Sequence, residues 1–216
     1  MPVIDISRKL KPGTAVWPGD TPYLLRQLLK IDAGDSVNLT TIKMSAHTGS
    51  HIDAPLHFAD AGLSIDTLDL AVFWGDAQVV SVDNKSGPLN TDDFAGHDLS
   101  LAPRILVRSS ASSPDQSIFP SAFVYPSPEL ADMLGELGII LYGTDSPSVD
   151  PEDSKTLDGH KALNQNGISI LEWLDLGGAE DGLYELVALP LSIAGGDGSP
   201  VRAALRYIPQ LPDRKR

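Results

Sequence analysis

The sequence predicts a strand-rich α/β domain, and three features carry that reading. Six segments of strand length are rich in Val, Ile and Leu, and Gly, Pro, Asp or Asn lies close to most of their ends. Helix signals are confined to two stretches. The 17 prolines and 19 glycines imply many stiff loops between short elements. With 216 residues, 42% of them apolar, the chain can bury one proper core. A single domain is expected over residues 1–210, followed by a polar tail at 211–216.

In chain order, residues 23–31 (YLLRQLLKI) fit helix and strand equally, because periodicity alone does not separate the two. Residues 37–46 (VNLTTIKMSA), 77–82 (AQVVSV) and 104–109 (RILVRS) read as strands. Trp74-Gly75, just ahead of the second of these, reads as a packing feature. The clearest helix is 128–137, with Ser127 as N-cap, Pro128 at N1, Glu129 in the first turn and Gly138 to close it. Gly135 inside that helix reads as a packing contact. Residues 138–142 (GIILY) form the next strand. A short helix follows from about Asp158 to Asn164, stopping before Gly167. Strands at 183–190 (LYELVALP) and 200–208 (PVRAALRYI) complete the series.

The net charge of −13 argues against nucleic acid and against an anionic membrane surface, since both require a basic patch. The run Arg214-Lys215-Arg216 reads as a solvated tail. No apolar run approaches the ~18 residues of a membrane span. The N-terminal MPVIDISRKL lacks the basic and apolar regions of a signal peptide. With no cysteine, disulfides and thiolate chemistry are excluded, and the cytoplasm is the expected compartment.

The chemistry is concentrated in residues 45–58, SAHTGSHIDAPLHF, which hold three of the five histidines and an aspartate. His47 and His51 are four apart, as in helical zinc proteases, but Gly49 weakens a helix and Pro55 ends one. Thr48 also stands where that motif requires Glu. In an extended segment side chains alternate, and His47, His51, Asp53 and His57 are all odd positions. An extended run turning at Gly49 and Pro55 would aim all four the same way. Imidazole nitrogen and carboxylate oxygen suit Zn²⁺, and also Mn²⁺ or Fe²⁺. Without thiolates, such a donor set favours a catalytic metal with an open position over a structural one.

Further ligands must come from elsewhere in the chain. His97 lies in the polar loop AGHDLS and reads as a surface residue. His160 follows TLDG at the start of the second predicted helix, and Glu172 lies in the apolar run ISILEWL. A carboxylate buried there requires a partner, which a metal would provide; otherwise Glu172 faces water on an amphipathic segment.

These residues resemble a known family. HTGSHIDAPLHF is similar to the HxGTHxDxPxH signature of the cyclase-like metal-dependent hydrolases. The likeness extends to VWPGDTP at 16–22, to GTDSPSVDPEDSKTLDGH at 143–160, and to YELVALPL and SPVRAALR near the C-terminus. These further motifs point within the family to the bacterial arylformamidase (kynurenine formamidase) group. The resemblance implies a β-barrel-like sheet wrapped by helices, a homodimer, and two zinc ions per subunit. By position it implies His47, His51 and Asp53 as ligands of the first metal. Asp53 and Glu172 would bridge the two ions, and His160 would bind the second. His57 matches the catalytic acid/base and Trp17 a substrate-contacting aromatic, although a Trp there also suits a core.

The implied reaction is hydrolysis of N-formyl-L-kynurenine to L-kynurenine and formate. An isatin-type hydrolase with the same metal site, or a non-catalytic metal-binding protein, are the alternatives. Two positions depart from the pattern. Ser50 replaces Thr in the signature, a small hydroxyl for a small hydroxyl. Trp173 is bulkier than the family pattern and bears on the pocket.

Overall fold

The computed structural model describes residues 2–112 and 115–208. The predicted tail at 211–216 lies outside the described residues. In chain order the strands are β1 (Val3–Asp5), β2 (Leu24–Leu29), β3 (Leu39–Lys43), β4 (His51–Asp53), β5 (Trp74–Ser81), β6 (Gly87–Leu89), β7 (Arg104–Arg108) and β8 (Val124–Pro126). Helix α1 (Pro128–Glu136) precedes β9 (Leu141–Thr144), and helix α2 (Asp158–Gln165) precedes β10 (Ser169–Glu172). The chain ends in β11 (Gly182–Val187), β12 (Gly198–Pro200) and β13 (Ala204–Tyr207).

Nine strands form one curled sheet in the order β1-β13-β11-β5-β7-β9-β10-β4-β12, and β2-β3 and β6-β8 form separate pairs. Its centre, β5-β7-β9-β10, is parallel, with antiparallel strands on both sides. A parallel centre is covered on both faces, which is why its strands read as nearly continuous apolar runs. Ala77, Val79, Leu106, Leu141 and Leu171 enter one core, while Val80, Ile105, Val107, Tyr142 and Ile170 enter the other. The second core lies under α1 and α2, which pack on each other and add Leu130, Leu134 and Leu163.

Helix α1 starts as its sequence dictates. The Ser127 hydroxyl accepts from the Leu130 N–H at 3.2 Å, and Pro128 occupies the first turn. Gly135 is indeed a packing position: a Cβ there would come within 2.5 Å of the Asn166 side chain. Gly75 leaves room for the Arg104 guanidinium in the same way, with a Cβ position 3.0 Å from Nη1.

Several boundaries differ from the sequence reading. Within residues 23–31, Leu24–Leu29 form strand β2, which makes a hairpin with β3, and Ile31 opens a 3₁₀ turn. Trp74-Gly75 opens β5 instead of preceding it, since Val187 pairs with Trp74 and extends the ladder. The strand predicted at 138–142 begins at Leu141, because Gly138 and Ile139 are engaged in closing α1. The segment predicted at 200–208 divides: Pro200 ends β12 against β4, whereas Ala204 begins β13 against β11. Strands β1, β6, β8 and β10 went unpredicted; they are only three or four residues long and carry little periodicity. No helix among the described residues is long and apolar enough to cross a membrane.

Candidate active site

The site begins with the pairing of β4 and β10. In their antiparallel register His51 lies opposite Glu172 and Asp53 opposite Ile170. Directly opposed residues share a face, so His51, Asp53 and Glu172 project together while Ile52 and Leu171 enter the core behind them. Gly198 on β12 lies opposite Asp53 from the other side, and a Cβ there would come within 2.7 Å of the His47 ring. The glycine thus leaves the space that His47 occupies.

Strict alternation covers only His51 to Asp53. His47 reaches the cluster through a turn in which Gly49 adopts φ +69°, and His57 closes a short 3₁₀ turn, Pro55–His57. The turns expected at Gly49 and Pro55 are thus both present, and the four odd positions converge with strict alternation kept only from His51 to Asp53. His47, Asp53 and His57 can each offer one ligand atom within 4.8 Å of the others, and so can His51, Asp53 and Glu172. Asp53 is common to both groups.

His160 arrives on α2. Its Nε2 lies 3.2 Å from Asp53 Oδ2 and 3.8 Å from Glu172 Oε1. Asp150, which sequence reasoning missed, places it there. One carboxylate oxygen accepts the Gly159 N–H at 2.9 Å; the other accepts the His160 N–H at 3.0 Å and contacts His160 Nδ1 at 2.6 Å. Leu157, at the N-cap position with φ +52°, offers no cap of its own, so Asp150 caps α2 from a preceding loop. A carboxylate ten residues before the histidine, in SPSVDPED, was the available signal.

Asp197 was also missed. Its Oδ2 lies 3.2 Å from His47 Nε2 and 3.4 Å from His57 Nδ1, and its signal was a lone acid in the glycine-rich GGDGSP. His97, as expected, is exposed.

His51, Asp53, His160 and Glu172 are each only 3% exposed. Such charges are tolerable only when paired. Burial opposes a proton on His51, but bonds with Asp53 and Glu172 outweigh it and push its pKa up to about 10. For His160 burial is likewise outweighed, by Asp150 and Asp53, again to about 10. Burial raises Asp53, yet contacts with His160, His47 and His51 hold its carboxyl well below the usual range. Without a metal, protons on the imidazoles supply the positive charge the carboxylates require.

A metal ion fits this donor set better than protons do. His51 Nδ1 is engaged by the Gly49 carbonyl at 2.8 Å and His160 Nδ1 by Asp150, so both present Nε2 inward to the same carboxylates. Such outer partners orient metal-binding imidazoles generally. The buried set contains nitrogen and oxygen donors with no sulfur, which suits a divalent ion.

The cluster opens into a cavity of about 480 Å³, a size suited to a small organic molecule. Trp17 and Trp173 both line it, with Asp20, Glu152 and Lys155 among the polar wall residues. Trp17 is half-buried and meets Phe119 edge-on at 5.4 Å, so it packs and faces the cavity at once. Trp173 follows β10 with φ +56°, a left-handed conformation costly for a bulky residue. Its ring lies over the buried Arg8 guanidinium at 5.3 Å, and its carbonyl accepts from the Ser50 hydroxyl at 2.8 Å. Ser50 thus performs a hydroxyl's task at the position where the family signature has Thr.

Comparison with known proteins places this arrangement. The Cyclase family model matches residues 4–151. A kynurenine formamidase of Salinibacter ruber is 44% identical over 211 residues, covering 97% of this chain and 99% of the relative. This chain belongs to the Cyclase family. A kynurenine formamidase of Geobacillus thermodenitrificans is also 44% identical, over 95% of this chain and 97% of the relative. A solved structure described as a potential metal-dependent hydrolase with cyclase activity superposes with a TM-score of 0.81 at 25% identity, covering 96% of this chain and 99% of the other. Isatin hydrolase A of Labrenzia aggregata superposes at 0.79 over 94% of this Cyclase-family chain and 93% of its own; at 23% identity that likeness speaks for the fold alone.

Proposed function

We propose that this chain is an arylformamidase that hydrolyses N-formyl-L-kynurenine to L-kynurenine and formate. One observation carries the reading: relatives called kynurenine formamidase are 44% identical along nearly the whole of both chains. In this reading His47, His51, Asp53, His160 and Glu172 would hold the two zinc ions expected per subunit. Bound zinc lowers the pKa of water toward ~7 and polarises a carbonyl oxygen.

The remaining work falls to the chain's own side chains. Water adds to the formyl carbon, the C–N bond breaks, and the aryl nitrogen leaves as an amine after gaining a proton. His57 moves that proton. Its Nδ1 faces Asp197, which orients the ring, and its Nε2 has no hydrogen-bond partner among the described residues. It takes a proton from the attacking water and returns it to the departing nitrogen; positioned transfer of this kind contributes ~10²–10⁴-fold. Trp17 and Trp173 offer the aryl ring two aromatic walls. Lys155, with Asp20 and Glu152, offers both signs of charge to the zwitterionic end of the substrate.

The same reading includes a homodimer, and a cytoplasmic location consistent with the cysteine-free composition. The test is an assay of the zinc-loaded protein on N-formyl-L-kynurenine beside isatin, with metal analysis of the same sample. Rapid release of formate with two equivalents of zinc is expected. Turnover of isatin alone, or of neither substrate, overturns the assignment.

A further inference from the structure

We infer that Phe119, which is not itself a wall of the catalytic cavity, is the positioning residue that sets its two indole walls and so its preference for an aryl group. This deepens the proposed function and rests on its aryl substrate. Trp17 and Trp173 line the cavity from opposite ends of the chain, and no ring contact joins them among the described residues. Phe119 meets both. Its ring lies 5.4 Å from Trp17 at 86° and 5.8 Å from Trp173 at 78°. Both are edge-to-face contacts, the arrangement that the ring quadrupole favours. The buried Phe123, just ahead of β8, backs Phe119 in the same way at 6.4 Å and 88°. A half-buried phenyl is thus clamped between the core and both walls.

The backbone repeats this arrangement. The segment bearing Trp17 docks on the segment bearing Phe119 through the Ala15 N–H, which donates to the Gln116 carbonyl at 2.9 Å. The Gln116 side-chain amide reaches in turn to Asp175 Oδ2 at 3.5 Å, two residues beyond Trp173. Residues 116–119 therefore strap together two wall-bearing segments that are distant in sequence. Trp173 depends on this strap in a particular way. Its indole N–H is buried without a hydrogen-bond partner, so no polar contact fixes the ring. Arg8, lying over the ring at 5.3 Å, and Phe119 hold it by packing. An aliphatic side chain at 119 would fill the space but present no aromatic edge to either indole. The walls would then lose their fixed spacing while the metal ligands, which Phe119 does not support, keep theirs.

The test is calorimetric binding of two hydroxamates to the zinc-loaded protein, because both seek the metal and only one carries a ring. The wild type is expected to bind benzohydroxamate ~10-fold or more tighter than acetohydroxamate. Phe119→Leu is expected to weaken benzohydroxamate ~10–100-fold and to leave acetohydroxamate and zinc content unchanged. Phe119→Tyr, which keeps the ring, is expected to restore benzohydroxamate binding to within about 3-fold of the wild type. Unchanged binding of both probes in Phe119→Leu overturns the proposal. Equal weakening of both also overturns it, since Phe119 would then act on the metal centre or on the fold. A wild type without preference for the ring overturns it as well. Should Phe119→Leu misfold, Phe119→Met carries the same comparison. Failure to turn over N-formyl-L-kynurenine would sink the reaction assigned above and leave this binding result standing.

Discussion

His57 and His47 are both imidazoles at the edge of one cluster, and their environments separate their tasks. His47 sits between Asp53 and Asp197, with both ring nitrogens engaged. His57 is more exposed and touches Asp197 through one nitrogen only. The geometry also places His57 within ligand reach of His47 and Asp53. His57→Ala is expected to keep its metal content and lose at least ~10²-fold in kcat/KM. Metal analysis beside a formate-release assay separates proton transfer from ligation, because a ligand's loss would lower both.

Among elements, the β4–β10 ladder and the start of α2 decide whether the site exists. The local part was legible in the sequence: the density of HTGSHIDAPLHF, and the capped helix at 128. The pairing of His51 with Glu172 was not, because a register between residues so far apart in the chain leaves no local pattern. Nor was Asp150, whose capping of α2 depends on a loop folding back on the helix. Asp150→Ala removes the acceptor of two helix N–H groups and the anchor of His160 Nδ1. It is expected to lose about 1–3 kcal/mol of stability in denaturant unfolding and ~10–100-fold in metal affinity. Asp150→Asn, which keeps one carbonyl acceptor, is expected to recover part of the stability and little of the affinity. Gly198→Ala tests the other flank. Its Cβ would press on the His47 ring at 2.7 Å and on the Ile52 carbonyl at 2.9 Å. A shift of His47, a metal ligand in the proposed site, to relieve that contact is expected to lower kcat/KM by ~10²-fold in the steady-state assay.

For the molecule as a whole, stability and metal binding are coupled through the same buried protons. In the metal-free chain His51 and His160 carry pKa values of about 10, above the ordinary histidine value of 6.5. Their stabilisation is fully present below pH 6.5 and is lost as pH rises through 10. Asp53, held below its ordinary value of 3.8, contributes stability above that pH and loses it as pH falls further. The chelated protein is therefore expected to unfold at progressively lower temperature from pH 6.5 to pH 10. The metal-loaded protein does not share this loss, because the imidazoles shed those protons to bind an ion, and binding strengthens as pH rises. At free metal 100 times its dissociation constant, binding to the folded state adds about 2.7 kcal/mol. The Tm difference between zinc-loaded and chelated samples is thus expected to widen from pH 6 to pH 9, read by thermal unfolding at each pH. A chelated Tm that stays level or rises across that window would mean that the buried imidazoles do not carry those protons. The carboxylates of Asp53 and Glu172 would then need another source of positive charge.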